Sequence, residues 1–322
     1  MKERKARPGS GLSTGKLPTS RRRTVKATET LSSRSSASGS PAGERKAARG
    51  KALPEAEHGP IPGLVDAEEL ATDRQFATNL ARGLEVLRAF MPSDPMLGNK
   101  EICDRTRLPK ATVSRLTYTL NLLGYLTRVD KYQKYRLGPG VLSLGYPLLA
   151  SLQVRQIARP YMEKIARDTG CSVNLGMRDR VSVVYLDTCR ADAGNLYQPD
   201  IGTTRPLLST AMGRALLLAA PAAERGAALN RLKVEDPAGY AVERPLLDAD
   251  AKVFRERGFC LSRGDWRREV HAVAAPIRHR DNGLAMNCTM SAYRLRRDFL
   301  EKVVAPQLLE AVLCIEQAIG LH

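Results

Sequence analysis

The chain has 322 residues, 43% of them hydrophobic, and a formal net charge of +17, which predicts two domains plus extensions and a polyanionic partner. The six cysteines are scattered and form no Cys-x-x-Cys pair, which argues against a disulfide scaffold and a zinc ribbon. The sequence shows no secretory hydrophobic region, which argues against an exported protein. It also shows no apolar run near the roughly 20 residues of a membrane span, which argues against a membrane protein. We therefore expect a cytoplasmic protein with reduced thiols.

Residues 1–70 are predicted to form a disordered basic tail. They are rich in Ser, Gly, Pro, Ala, Lys and Arg and show almost no periodic apolar pattern, a composition typical of disorder. Residues 1–60 hold 14 Lys or Arg against 5 Asp or Glu, a net charge of +9. Such a tail attracts phosphate without sequence preference, and a tail that only solubilises the chain is an equal alternative.

Residues 71–138 are predicted to be a winged helix-turn-helix domain. Its first helix is expected at about 75–90, because apolar residues three or four apart form one stripe that a core would bury. The stripe consists of Leu80, Leu84, Leu87 and Phe90. A short second helix is expected at 99–106, and Pro109 ends the turn that follows it, since proline disfavours a helical conformation in the preceding residue.

A third helix is predicted over 110–123, ended by Gly124. Its expected buried stripe consists of Val113, Leu116, Leu120 and Leu123. The other face, which also includes Thr117 and Asn121, carries short hydrogen-bonding side chains and two cations, as contacts to bases and phosphates require. We predict five DNA contacts on it, with Arg115 the best candidate for reading guanine: Lys110, Thr112, Ser114, Arg115 and Tyr118.

Segments 125–129 and 133–137 are predicted to pair as a wing around a turn at Asp130 and Lys131. Four cations of this hairpin are expected to contact the DNA backbone or the minor groove: Arg128, Lys131, Lys134 and Arg136. An ordinary amphipathic helix followed by a surface hairpin is the alternative. The preceding short helix and the three-residue turn favour DNA binding, because together they present the third helix to a major groove.

Residues 139–153 are predicted to be a linker helix whose largely apolar surface indicates a partner. Residues 154–322 are predicted to form a mixed helix-and-strand domain. Its expected helices are 158–169, 210–219, 245–258 and 295–319, and its expected strands are 171–177, 181–187, 259–262, 270–278 and 284–291. The last two strands are joined through Asn282-Gly283, a strong hairpin signal.

Five short segments carry a family resemblance. They read LPKATVSRL at 108–116, YRLG at 135–138, IGTTRPL at 201–207, STAMGRA at 209–215 and VAAPI at 273–277. In this order and spacing they resemble the IclR-type bacterial transcription regulators, from about Phe76 to the C terminus. The resemblance covers roughly three quarters of the chain and excludes the basic tail.

The resemblance implies an α+β fold with a GAF-like effector-binding domain at 154–322, in which a small molecule alters operator binding. It implies dimerisation through the DNA module and the linker helix, pairing of dimers into tetramers, and operator half-sites about one helical turn, or a multiple of it, apart. It also implies a pocket lined by Ala211, Met212, Ser262, Val270, Ala272, Asn287 and Thr289. Strand alternation places Val270 and Ala272 on one face of their strand, and Asn287 and Thr289 on one face of theirs. The alternative is that Asn287 and Thr289 cap an edge or face solvent.

The chain departs from many relatives at 262–266, where they carry an acidic pair and this chain reads Ser-Arg-Gly-Asp-Trp. The loss of a carboxylate and the gain of Arg263 predict an anionic ligand, because a guanidinium pairs with a carboxylate through two parallel hydrogen bonds. We therefore assign Arg263 to the effector site and expect a small carboxylate, with an aromatic acid as the narrower hypothesis. Trp266 is interpreted as a stacking partner, a packing residue or a lid.

Two other classes compete with a ligand-responsive regulator. An enzyme is disfavoured because the histidines lie in the tail, at the terminus or at expected surface positions, which leaves only a Cys260 or Cys288 pairing with His271. No Gly-rich phosphate loop is present, and we expect no cofactor or metal. An architectural protein that coats DNA is favoured by the basic tail, but coating does not require the large C-terminal domain.

Overall fold

The computed structural model describes residues 61–65, 70, 72–190, 199–278 and 283–320. All of them belong to one compact unit, Ala56–His322. The predicted tail lies almost entirely outside the described residues, as do His58, His279, His322 and the turn residues Asp281 and Asn282.

The N-terminal module consists of three helices and a two-stranded antiparallel wing. The helices are α1 (Thr78–Arg88), α2 (Asn99–Thr106) and α3 (Lys110–Leu122), and the wing strands are β1 (Leu126–Val129) and β2 (Lys134–Leu137). A single 3-10 turn, Asp130–Tyr132, joins the two strands. The predicted winged helix-turn-helix is therefore confirmed, with shifts of one to three residues at the ends of its elements.

Special backbone conformations fix the junctions of this module. Arg107 ends α2 at φ +57°, and Gly124 follows α3 at φ +77°. Gly138, which closes the wing, has no room for a side chain, because a Cβ there would lie 2.3 Å from the carbonyl oxygen of Gly124. This close approach holds the end of the wing against the end of α3 and requires glycine at residue 138.

The core of the module lies between the three helices and the wing. It is centred on Val86, Phe90, Leu97, Ile102, Val113 and Leu126. Part of the predicted stripe of α1 is wrong, since Leu80 and Leu84 are 64% and 49% exposed, and Leu123 of the predicted α3 stripe is 63% exposed. The helices pack through Val86 of α1 and Val113 of α3 instead, and the three exposed leucines line an open groove.

Helix α4 (Pro139–Ser151) links this module to a C-terminal domain built on a six-stranded antiparallel sheet in the order β5-β4-β3-β8-β7-β6. In chain order the strands are β3 (Ser172–Asp179), β4 (Ser182–Cys189), β5 (Thr204–Pro206), β6 (Cys260–Arg263), β7 (Val270–Ile277) and β8 (Leu284–Ser291). Side chains therefore alternate between two covered faces.

Helices cover both faces of this sheet. On one face, α5 (Gln153–Thr169) and α9 (Ala305–Ala318) pack over a core that includes Val173, Met286 and Cys288. On the other face, α6 (Ala211–Ala219), α7 (Ala222–Glu235) and α8 (Pro237–Arg257) pack over a core that includes Tyr185 and Ala274. The face covered by α6 holds the cavity described below.

The predicted α+β fold is confirmed, and the differences fall where the sequence pattern is weak. Helix α7 and the first part of α8 have no predicted counterpart, because their apolar residues form no clear stripe. Strand β5 is only three residues long and lies in a predicted loop. A π-helical turn, Leu300–Val304, leads into the last helix and ends two residues before Pro306, which has no N–H to donate.

Candidate DNA-binding surface and ligand cavity

The outer face of α3 carries the side chains predicted to contact DNA. Lys110, Ser114, Arg115 and Tyr118 are exposed, whereas Thr112 is half-buried at the edge of the groove between α3 and α1. Residues 110, 114 and 118 are four apart and form one row, with Arg115 in the adjacent row. The arrangement gives a compact polar surface with two cations, which suits a major groove.

Thr117 corrects the predicted division of α3 into faces, because it is fully buried. Its hydroxyl donates to the carbonyl oxygen of Val113 at 2.9 Å and lies 3.4 Å from Oδ1 of Asn99 on α2. A threonine that bonds the carbonyl one turn earlier has no need of water. Thr117 therefore helps to pack α3 against α2.

The wing exposes three of its four predicted contact residues: Arg128, Lys131 and Arg136. Arg128 is held at the tip, where its Nε lies 3.0 Å from Oδ1 of Asp130. These cations lie on or beside the two short strands that follow α3. The wing thus offers positive charge next to the helix, as contacts to a phosphate backbone require.

Lys134 is half-buried, unlike the other wing cations. Its Nζ lies 2.7 Å from Oε1 of Glu101, whose Oε2 accepts a hydrogen bond of 2.6 Å from the backbone N–H of Gly98. These contacts, led by the Gly98 N–H, lower the pKa of Glu101 from its ordinary value. Lys134 therefore ties the wing to the start of α2, and its predicted contact to the DNA backbone or the minor groove stays a prediction.

A cavity opens on the α6 face of the sheet, between the first turn of α6 and strands β6, β7 and β8. Six of the eight predicted effector residues line it: Ala211, Ser262, Val270, Ala272, Asn287 and Thr289. The register explains their convergence, since Ala272 lies opposite both Ser262 on β6 and Thr289 on β8. The structure adds four lining residues that are absent from the predicted set: Tyr185, Arg205, Thr210 and Trp266.

The other two predicted effector residues do not line the cavity. Arg263 lies opposite His271 on β7, so alternation turns it away from the face that carries Ser262. It is 63% exposed and pairs with Glu301. Met212 is buried beneath β3, where a Cβ at Gly176 would lie 2.7 Å from its sulfur atom. The assignment of Arg263 to an anion site inside the cavity is therefore wrong.

The cavity floor is a hydrogen-bonded polar cluster. Nδ2 of Asn174 donates to Oδ1 of Asn287 at 2.8 Å, and the Thr188 hydroxyl donates to Oδ1 of Asn174 at 2.8 Å. The Tyr185 phenol is bonded to Asn287, but burial dominates and raises the pKa of Tyr185. This cluster fixes the orientation of the Asn287 amide, so the cavity presents a defined polar group to a ligand.

Arg205, and not Arg263, is the arginine that lines the cavity. It lies on β5, its guanidinium is 4.9 Å from the ring centre of Trp266 and 5.7 Å from that of Tyr185, and burial lowers its pKa from the ordinary value. Arg205 belongs to the IGTTRPL segment, but nothing in that segment marks it as facing the cavity. Only the pairing of Arg205 with Val183 on β4 shows this.

A buried ion-pair network holds the loop that carries Trp266. Arg214 of α6 is 1% exposed, and its Nε lies 2.6 Å from Oδ2 of Asp250 while its Nη2 lies 2.8 Å from Oδ2 of Asp265. The guanidinium also donates to the backbone carbonyl oxygens of Leu208 and Leu261, both at 2.8 Å. These bonds satisfy the buried charge and anchor Asp265, the residue before Trp266.

Two ion pairs join α1 to the turn between β3 and β4. Arg88 Nη1 lies 3.0 Å from Oδ2 of Asp179, and Arg180 Nη1 lies 2.7 Å from Oε1 of Glu85. Helix α1 therefore contributes one cation and one carboxylate, and the turn contributes a partner of opposite charge to each. Because β4 also pairs with β5, the strand that carries Arg205, this contact links the DNA-binding module to the cavity wall.

An apolar surface runs along α4 and the adjoining groove. Leu142, Leu144, Tyr146 and Leu148 of α4 are 53% to 76% exposed. Leu144 also lines the groove that holds Leu80 and Leu84 of α1, a cavity of about 630 Å³. Exposed apolar side chains in such number are typical of interaction sites.

Among the residues that the structure describes, Cys260, Cys288 and His271 are the groups that the sequence left open as a catalytic pair. Cys260 and Cys288 point to opposite faces of the sheet, and burial raises the pKa of both thiols, which disfavours a Cys/His nucleophile with His271. Within residues 72–190, 199–278 and 283–320, no group of three His, Cys, Asp or Glu side chains is placed to hold a metal ion. No helix among the described residues is long and apolar enough to cross a bilayer.

Comparison with known proteins gives two family matches. Residues 79–130 match the IclR helix-turn-helix domain, and residues 147–317 match the bacterial transcriptional regulator IclR C-terminal family. The chain is 37% identical to the HTH-type transcriptional regulator TsaQ1/TsaQ2 of Comamonas testosteroni, over 61% of this chain and 71% of that protein. It is 26% identical to the p-hydroxybenzoate hydroxylase transcriptional activator of Acinetobacter baylyi, over 75% and 91%.

A solved structure extends these matches to the fold. The chain is similar to an IclR family transcriptional regulator from Brucella abortus, with 42% identity and a TM-score of 0.71, over 76% of this chain and 94% of that one. The likeness thus spans both the helix-turn-helix module and the C-terminal domain. The family matches include helix α3 and the residues that line the cavity, whereas Lys131, Lys134 and Arg136 of the wing lie between the two matched ranges.

Proposed function

This chain belongs to the IclR family of bacterial transcriptional regulators, and we propose that it binds a specific operator and that a small organic acid in its C-terminal cavity changes this binding. The observation that carries the proposal is the placement of Arg205 at a cavity whose other walls are aromatic, apolar and hydrogen-bonding. Operator binding places the protein in the cytoplasm, with the DNA.

The lining favours an aromatic carboxylate as the ligand. The Arg205 guanidinium matches a carboxylate, Tyr185 matches a ring, and Ser262, Asn287 and Thr289 offer polar contacts. One relative is named a p-hydroxybenzoate hydroxylase transcriptional activator, and p-hydroxybenzoate is an aromatic acid. This name supports an aromatic acid as the ligand of the present chain.

The ion pairs between α1 and the β3–β4 turn support a route from ligand to DNA. A carboxylate that moves Arg205 acts on β5, β5 pairs with β4, and β4 begins beside Arg180. A shift of that turn acts on Glu85 and Arg88 of α1. A change in position of α1 then alters the spacing between two recognition helices in a dimer.

Arg115→Ala is expected to relax sequence preference. The variant should lose about 1–3 kcal/mol of operator binding and much less on random DNA, because a bidentate arginine reads one base pair. Fluorescence anisotropy with an operator selected from a randomised pool, and with shuffled DNA of the same length, measures both losses. Lys131→Ala is the matched control, since this exposed wing cation should weaken both DNAs alike. Equal losses for Arg115→Ala on the two DNAs would remove the base-reading assignment.

We propose that the apolar surface of α4 and the groove beside it form a homodimer contact. Leu144→Glu is expected to weaken the dimer about 100-fold, because it buries an unpaired charge. Light scattering after size exclusion gives the mass, and a tetramer of the wild type would show pairing of dimers. Val242→Glu, at a 76% exposed position on α8, is the control. A monomeric wild type, or a Leu144→Glu variant that dimerises normally, contradicts the proposal.

An architectural protein that coats DNA, the alternative function, predicts a different binding result. A protein that only coats DNA prefers no duplex, and its affinity falls steeply with salt for every sequence. A specific regulator prefers its operator by about 10³ or more over random DNA. The ratio of the two affinities at moderate salt therefore separates the two classes.

A further inference from the structure

The ligand cavity has almost no free space. Only about 20 Å³ is open inside it, little more than the room that one water molecule needs. Ligand pockets for small molecules usually measure roughly 300 Å³ or more. A wall of the cavity must therefore move before any aromatic acid can enter.

The strand and helix walls are the least able to move. Strand β8 is hydrogen-bonded on both sides, to β3 and β7, and β7 is likewise bonded to β6 and β8. The first turn of α6 is buried and capped, since the Thr210 hydroxyl accepts the Gly213 N–H at 3.1 Å. These elements are fixed by their backbone bonds, so they define the shape of the site.

Among the described residues, a further wall is formed by Tyr185 of β4 and Arg205 of β5, and the last is the segment that joins β6 to β7, which lies outside the sheet. It begins at Gly264, whose φ of +89° marks a tight turn, and it carries Trp266 into the cavity lining. Asp265 is anchored by Arg214, so the base of the segment is held while the next side chain projects from it. Rotation of the Trp266 side chain about this anchor breaks no backbone hydrogen bond of the sheet.

Trp266 is held in the closed position by two cations. The guanidinium carbon atoms of Arg205 and Arg267 lie 4.9 Å and 4.5 Å from its ring centre. An indole over a guanidinium is a cation–π contact. The aromatic ring of the chain itself thus occupies the place beside Arg205 that an aromatic ligand would take.

We propose that Trp266 is a plug that closes the ligand site in the free protein and that an aromatic carboxylate opens the site by replacing the indole on Arg205. The inference rests on the proposed function, since it concerns the same cavity. The exchange selects for acids, because a carboxylate forms charge-assisted hydrogen bonds with the guanidinium. A neutral ring offers only another cation–π contact and has no advantage over the indole.

The first test measures benzoate binding by calorimetry, with phenol as the neutral ring. Trp266→Ala is expected to bind benzoate about tenfold tighter than wild type, because the plug no longer has to be displaced. Trp266→Phe should lie between them, and the control Tyr293→Ala, at an 87% exposed position, should equal wild type. If benzoate binds wild type but binds Trp266→Ala equally or more weakly, the plug is excluded while the acid effector stands.

The second test needs no acid, because Trp266 is the only tryptophan of the chain. Acrylamide should quench its fluorescence several-fold more slowly in the free wild type than in N-acetyltryptophanamide, and an Arg205→Ala, Arg267→Ala double variant should be quenched faster. Quenching of the wild type at the rate of the free indole overturns the plug. Should benzoate bind neither wild type nor Trp266→Ala, the acid effector fails, and this quenching rate alone decides the plug.

Discussion

Arg205→Ala is expected to weaken benzoate binding about 50-fold, since a charge-assisted hydrogen bond to a carboxylate contributes about 1.5–3 kcal/mol. The variant should keep its operator affinity in the absence of acid, because Arg205 lies at the cavity and not on the DNA-binding face. Calorimetry gives the first quantity, and anisotropy with labelled operator gives the second. Arg205→Lys should recover part of the loss, since a lysine keeps the charge but not the planar fork.

Arg263→Ala is the matched control for this experiment. Both arginines lie on edge regions of the same sheet, yet Arg263 faces away from the cavity and pairs with Glu301. Its replacement should leave benzoate affinity within error of the wild type. If Arg263→Ala loses affinity and Arg205→Ala does not, the cation has been assigned to the wrong face of the sheet.

These two arginines show where sequence reasoning succeeds and where it stops. The expectation of an anionic ligand came from Arg263, but a shift of one residue along a strand reverses the face, and Ser262 already occupied the cavity side. Arg205 lies in a three-residue strand inside a predicted loop. Its direction depends on pairing with β4, which is a long-range contact that no local pattern encodes.

The DNA-binding module was more predictable, because its signals are local. The turn at Pro109, the glycine after α3 and the alternating wing all act within a few residues. Besides the exposed leucines of the predicted stripes, the exceptions are two polar residues: Thr117, which is buried, and Lys134, which pairs with Glu101. A helical pattern cannot anticipate a threonine that bonds its own helix or a lysine that meets a carboxylate 33 residues away.

Arg214→Met is expected to have the largest effect on stability, about 3–5 kcal/mol, because it leaves two carboxylates in a mostly buried site without their cation. Asp250 and Asp265 are 9% and 19% exposed, so water can solvate them only in part. Urea unfolding followed by circular dichroism measures the loss. Lys164→Met, which breaks the exposed pair with Asp168, should leave the free energy of unfolding almost unchanged.

A triple variant separates the stability of this network from its role in the cavity. Arg214→Met combined with Asp250→Leu and Asp265→Leu removes all three charges, and such replacements are often neutral in buried sites. We expect most of the lost stability to return, whereas the anchor of Trp266 stays absent. Fast acrylamide quenching of Trp266 in a stable triple variant would therefore show that the network positions the plug. If stability does not return, the hydrogen bonds from Arg214 to Leu208 and Leu261 carry the fold, and the ion pairs are secondary.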